Sequence, residues 1–186
     1  MLIRTNSDFV ETSWSGGKTI QLAIYPANAS LQNRDFEWRI STAFVDVDES
    51  EFSDFSGYSR LFIPLSSEVK LKHFIAGNEQ EVLLKANQVH FFDGSWKTIA
   101  YGKVQDFNLI YKNGNSPKVL AANYYSGDRF SCDFIPNGCF LVNGRIKIEG
   151  YELIGPCFLS SNHLIIDKWI VLSEIQIVFI QMNGLK

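Results

Sequence analysis

The sequence predicts an all-β protein made of two related modules in tandem, each folded as a sandwich, barrel or jelly roll. Three observations carry this. Runs with period-two alternation recur along the 186 residues, separated by clusters of Gly, Asn, Ser, Pro and Asp. No stretch keeps a helical period over several turns. The chain holds 15 Phe, 7 Tyr and 4 Trp, and aromatic residues suit the pleated, half-buried surface of a sheet.

The elements follow in order. WSGGKTIQLAIYP (14–26) turns at a glycine pair, runs as a strand and stops at Pro26. FEWRISTAFVDV (36–47) is a second strand, and RLFIPLS (60–66) follows the turn SDFSGYS. EVKLKHF (68–74), QDFNLIYK (105–112), GCFLVNGRIKIEG (138–150) and EIQIVFIQM (174–182) complete the clearest runs. The most hydrophobic stretch, HLIIDKWIVLSEIQIVFIQM (163–182), is interrupted by Asp167, Lys168 and Glu174, which reads as two buried strands and not as a membrane span. Residues 60–74 and 139–153 echo each other: an apolar strand, a tight polar turn and an alternating strand with charged partners. KNGNSPKV (112–119) has the composition of a connector. The expected division is one domain of two β modules, the N-terminal covering about 1–111 and the C-terminal about 119–186.

Side chains two apart on a strand share a face. Phe36, Trp38 and Ile40 therefore oppose Glu37, Arg39, Ser41 and Ala43, while Phe107 and Leu109 oppose Asp106 and Asn108. In the first strand Thr19, Gln21, Ala23 and Tyr25 oppose Ile20, Leu22 and Ile24. Such a polar face is either the wet side of an antiparallel sheet or the lining of a lumen around a small ligand. The small residues beside Arg39 favour the lumen. An inward guanidinium needs a carboxylate, either Asp106 in a structural pair or a bound acid held by the planar fork. The same choice applies to Arg60.

Composition excludes several classes. The formal charge of −3 contains no long basic run, so nucleic acid is not an expected partner. The N-terminal segment lacks the apolar core of a signal peptide, and Cys132, Cys139 and Cys157 show no CxxC pairing, which fits free thiols in a reducing cytoplasm. His73, His90 and His163 stand in separate segments with no HxH, so neither a metal nor another cofactor is expected, and no residue is marked as catalytic. There is no nucleophile elbow, phosphate loop or dinucleotide fingerprint. The acidic turns VDVDE (45–49) and SEFSD (50–54) read as solvated.

The ordered motifs resemble those of the HutD/Ves family. They are Trp14 with Gly16, Gly17 and Thr19, then Pro26, Phe36-x-Trp38-Arg39-Ile40-Ser41, Phe52-Ser53-x-Phe55-x-Gly57-x-x-Arg60, and Asp106-Phe107-Asn108. The resemblance implies a two-module cupin-like fold (a bicupin) and a cytoplasmic, regulatory role near histidine utilisation, with a cupin-type enzyme acting on a related acid, using Asp106 or a histidine as general base, and an interaction protein without a ligand as the alternatives. It also implies a small carboxylate ligand such as urocanate or a formyl- or formimino-glutamate. Trp14, Thr19, Gln21, Arg39, Ser41, Arg60, Asp106 and Asn108 are the candidate ligand-binding residues. The chain departs from the family pattern where WSGGKT is shortened, where Ile20 replaces an arginine, and at Ser66 and Ser67. Dimerisation through an edge strand is a further expectation, and no membrane partner is expected.

Overall fold

The computed structural model describes residues 1–185. The chain opens with β1 (Leu2–Arg4), β2 (Val10–Trp14), β3 (Gly17–Tyr25) and β4 (Trp38–Val45). It continues through β5 (Glu49–Glu51), β6 (Tyr58–Pro64), β7 (Val69–Ile75), β8 (Asn78–Leu84), β9 (His90–Asp93), β10 (Lys97–Tyr101) and β11 (Val104–Lys112). The second half supplies β12 (Lys118–Tyr124), β13 (Gly138–Asn143), β14 (Arg145–Ile148), β15 (Tyr151–Ile154), β16 (Cys157–Ser160), β17 (Ile170–Val171) and β18 (Ile175–Gln181). Every run singled out by alternation contains a strand. The first strand stops at Tyr25, because the following Pro26 cannot donate to a ladder.

Two compact units result: residues 9–114, and residues 1–8 with 115–186. In the first, a six-stranded sheet of order β2-β3-β4-β11-β6-β9 faces a four-stranded sheet of order β5-β10-β7-β8. Val45, Phe62 and Phe92 of the larger sheet pack with Val69, Leu71, Leu84 and Ala100 of the smaller. In the second, the orders are β1-β16-β13-β18-β12 and β15-β14-β17. Their shared core holds Cys139, Leu141, Ile146, Ile148, Val171, Ile177 and Phe179.

The strand orders repeat. The run β4-β11-β6-β9 with β10-β7-β8 in one unit is matched by β12-β18-β13-β16 with β17-β14-β15 in the other. The echo between residues 60–74 and 139–153 thus has a topological counterpart: each segment crosses from the larger to the smaller sheet of its unit, as β6 to β7 in one and as β13 to β14, with β15 following, in the other. The leading strand β1 pairs with β16, Leu2 opposite Ser160, and so belongs to the C-terminal unit.

A closed barrel does not form. Among the described residues the end strands of each sheet find no further partner, so the architecture is one of open, facing sheets. Alternation sorts a strand's side chains into two faces but does not say whether the last strand reaches the first. Here β2 is exposed along its length and β8 is exposed on both faces over Asn78, Glu79, Gln80 and Glu81, polar edges of the kind that resist pairing. The hydrophobic stretch 163–182 also differs from expectation. Its first half is a single 3-10 turn, Ile166–Lys168, followed by the two-residue β17, and only its second half is a full strand. The turn leaves Asp167 and Lys168 outside while Leu164 and Trp169 are buried. No helix among the described residues is long and apolar enough to cross a membrane.

The β2–β3 turn depends on Gly17. Its φ of +148° disfavours a side chain, and a Cβ there would collide with the Phe44 carbonyl oxygen of β4. Gly17→Ala is expected to lower unfolding stability by about 1–3 kcal/mol, read as a lower urea midpoint at unchanged slope.

Candidate functional site

Cross-strand register assembles the site. Thr19, Ala43, Asp106 and Pro64 form one row across β3, β4, β11 and β6. Gln21, Ser41, Asn108 and Phe62 form the next. A third row carries Ile24, Arg39, Ile110 and Arg60, then Phe92 of β9. All these side chains point to the interior of the N-terminal unit, the face shared with Phe62 and Phe92. The polar face is therefore inside, with Arg39, Ser41, Arg60 and Asp106 all buried.

Arg60 sits among aromatic rings. Its guanidinium carbon lies 4.4 Å from the Phe52 ring centre and 5.6 Å from those of Phe55 and Phe92. Nη1 donates to the Ser53 carbonyl at 3.2 Å, while the buried Nε has no hydrogen-bond partner. Burial pulls its pKa down to about 9, a shift that the attraction of Asp106 opposes. Arg39 is held differently: Nε donates to Gln21 Oε1 at 2.8 Å and Nη1 to Ser41 Oγ at 3.1 Å. Burial takes its pKa to about 10, with Asp106 again opposing.

The alternation suggested a direct Arg39–Asp106 pair as one role for the arginine. Among the described residues neither guanidinium lies within ion-pair distance of Asp106; Arg39 directs Nε and Nη1 to Gln21 and Ser41, and Arg60 directs Nη1 to the Ser53 carbonyl. Asp106 instead accepts one long hydrogen bond, 3.3 Å from the Ala43 N–H. Burial raises its pKa to about 7, offset in part by Arg60, the Ala43 N–H and Arg39. Two residues on, the buried Oδ1 of Asn108 has no partner.

These groups border a cavity of about 280 Å³ lined by Trp14, Thr19, Ser50, Glu51, Phe52, Ser53, Arg60, Asp106 and Asn108, with Ala43 and Val45. Five of the eight expected site residues thus meet at one cavity: Trp14, Thr19, Arg60, Asp106 and Asn108. Gln21, Arg39 and Ser41 form a separate hydrogen-bonded cluster on the same face and do not line it. The segment SEFSD keeps Glu51 and Asp54 exposed, as expected of a solvated turn, but it also borders the cavity through Ser50, Glu51, Phe52 and Ser53, and Phe52 is the nearest ring to Arg60. Two aromatics three apart in an acidic turn, Phe52 and Phe55, were the signal that could have found it. At the opposite wall Trp14 folds over Gly16, where a Cβ would collide with the indole ring.

Histidines separated in sequence are adjacent in space. His73 of β7 and His90 of β9 meet with Nε2 atoms 2.9 Å apart, and the ring centres are 5.2 Å apart, so the rings point tip to tip. His73 Nδ1 lies 2.8 Å from Thr98 Oγ1, whose single proton goes to the Trp96 carbonyl at 3.1 Å. That network assigns the proton of His73 to Nδ1 and makes His90 Nε2 the donor to it. Burial, then the neighbouring His90, pulls the His73 pKa down to about 4. The folded value lies below the ordinary 6.5, so the neutral ring's stabilisation is complete above pH about 6.5. It is lost as pH falls towards 4. Asp106, whose raised pKa works in the opposite sense over the same range, is common to the parent and to His73→Phe, so the decline should appear as a loss of urea stability of the parent relative to His73→Phe between pH 7 and 4. Among the described residues no group of three or more His, Cys, Asp or Glu is placed to hold a metal.

The matching positions of the C-terminal unit carry no such chemistry. There β13 and β18 pair Cys139 with Phe179 and Leu141 with Ile177, all buried in an apolar core. All three cysteines are free, and burial raises the Cys139 and Cys157 thiols well above their ordinary range.

Comparison with known proteins places this geometry. A conserved protein of unknown function from Pseudomonas aeruginosa PAO1 superposes with a TM-score of 0.75 at 20% identity, covering 98% of each chain. HutD from Pseudomonas fluorescens SBW25 superposes with a TM-score of 0.65 at 21% identity, covering 98% of this chain and 99% of that one. Oxalate decarboxylase from Bacillus subtilis, a protein with Mn(II) centres, matches the fold with a TM-score of 0.65 at 6% identity, covering 97% of this chain and 76% of that one. No curated protein matches the sequence significantly. The family model named HutD matches residues 6–165, from before β2 to beyond β16. The all-β, cupin-like chain therefore belongs to the HutD family.

Proposed function

We propose that the protein is a bicupin whose N-terminal module binds a small carboxylic acid at Arg60, while the C-terminal module is filled by its own side chains. The observation that carries this is the buried Arg60, which borders a cavity of about 280 Å³ with Nε unpartnered and no ion-pair partner among the described residues. Leaving a buried charge unpaired costs several kcal/mol, and a ligand carboxylate would remove that cost through a bidentate contact. Arg60 is favoured over Arg39 as the anchor because Arg60 lines the cavity, whereas Arg39 does not and is turned by Nε and Nη1 towards Gln21 and Ser41. Trp14 forms the apolar wall, and Thr19 and Asn108 orient the ligand. The family name connects the chain with histidine utilisation, which makes urocanate, N-formylglutamate and formiminoglutamate the first acids to try and a regulatory role the natural setting.

Thermal unfolding against those acids, histidine and glutamate tests the reading. A ligand at about one hundred times its dissociation constant adds roughly 2.7 kcal/mol, several degrees for a domain of this size. At least one acid should raise Tm in the parent protein. Silence across the panel from a folded protein would overturn the proposal.

A second reading is enzymatic. It rests on Asp106, a buried carboxyl brought to a pKa of about 7 inside the cavity, as a general base needs. Turnover of a panel acid that survives chelation and disappears in Asp106→Asn would support it.

A further inference from the structure

We propose that acid binding in this cavity takes up one proton from solvent, which Asp106 then holds. The inference rests on the acid-binding reading above and adds a regulation to it.

The geometry leaves Asp106 poorly supported as an anion. Its carboxyl is 4% exposed, accepts one long backbone hydrogen bond and lies beyond ion-pair distance of both arginines. What keeps it ionised is attraction from Arg60 first, then the Ala43 N–H and Arg39. An arriving carboxylate would engage Arg60 and place a second negative charge in the same small cavity. Two carboxylates sharing a site cannot both stay ionised cheaply, and the one with fewer hydrogen bonds takes the proton. Protonated Asp106 then offers an O–H to the ligand carboxylate, a donor it lacks as an anion.

No other group nearby is better placed to take the proton. The rows flanking Asp106 bring Thr19 and Gln21 from β3, Arg39 and Ser41 from β4, and Arg60 from β6, none of them a proton acceptor near neutrality. The facing sheet supplies Val69, Leu71 and Ala100. Glu51 of β5 lines the cavity with an exposed side chain, and His73 and His90 are occupied with each other and do not line it.

Calorimetric titration of N-formyl-L-glutamate into the full-length protein at pH 8, in phosphate and in Tris, reads the proton directly. The acid's own carboxyls titrate far below this range, so any buffer-dependent heat reports the protein. The expected result is a heat that changes with buffer by an amount equivalent to about one proton per site. Affinity should be flat below pH about 6 and fall about tenfold per pH unit above 8. Asp106→Asn should lose the buffer dependence. Binding with the same heat in both buffers overturns the inference while leaving the acid site standing, and so does uptake that persists in the Asn variant. No binding even at pH 6, where Asp106 is already protonated, removes the acid site itself and the inference with it.

Discussion

Arg60→Met should weaken binding of the responsive acid at least a hundredfold while leaving Tm unchanged or raising it. The two halves of this result have one cause. A guanidinium that lies among Phe52, Phe55 and Phe92 with Nε unpartnered carries a desolvation cost that an unbranched thioether of similar length does not. Removing the charge also deprives Asp106 of its strongest attraction, but that carboxyl can respond by taking a proton instead of staying buried as a bare anion. For the ligand no such relief exists, and losing one partner of a buried charge pair typically costs 2–5 kcal/mol or more. Calorimetry for affinity and differential scanning for Tm measure both halves on one preparation. A variant that binds normally would sink the assignment of Arg60. One that loses several kcal/mol of stability would show the residue to be a structural part of the sandwich.

Phe179→Ala should destabilise the C-terminal unit by about 3–5 kcal/mol. Phe179 is fully buried on β18, with ring centres 5.6 Å from Phe130 and 6.2 Å from Trp169. Truncation leaves both rings facing a void between rigid sheets that cannot collapse to fill it. Urea unfolding followed by tryptophan fluorescence would report the change, since Trp169 borders the void. A loss below about 1 kcal/mol would mean that this core repacks far more freely than its close contacts suggest.

The parts of this molecule that were readable from the sequence are those in which one face of one strand decides the outcome. Strands β4 and β11 alternate without interruption, so their polar rows were identifiable residue by residue, whereas in β3 the register shift between Gln21 and Ala23 puts Ala23 and Tyr25 opposite Ile40 and Trp38 and brings Ile24 onto the Arg39 row, a correction to the strict two-residue period. The edge strands β2 and β8 were not readable, because an exposed strand has little need for apolar residues and leaves almost no periodic signal. The difference between Arg39 and Arg60 was equally hidden. Both follow the same alternation and flank Ile110 from opposite sides, and only the neighbouring strands decide which meets Gln21 and Ser41 and which meets a cavity. The histidine pair joins strands of two facing sheets, a relation that no spacing along the chain encodes.

The pairing of β1 with β16 changes what counts as a module in this chain. No single cut separates the two units, because a C-terminal piece starting at Asn115 would leave behind the strand that covers the edge of β16. During synthesis Leu2–Arg4 must wait until Phe158–Ser160 have emerged before their partner exists, a contact of very long sequence separation that can form only late. Strand β1 therefore acts as a latch set late in folding, and a substitution that breaks its pairing with β16 would act on the unit whose other strands lie more than a hundred positions away along the chain.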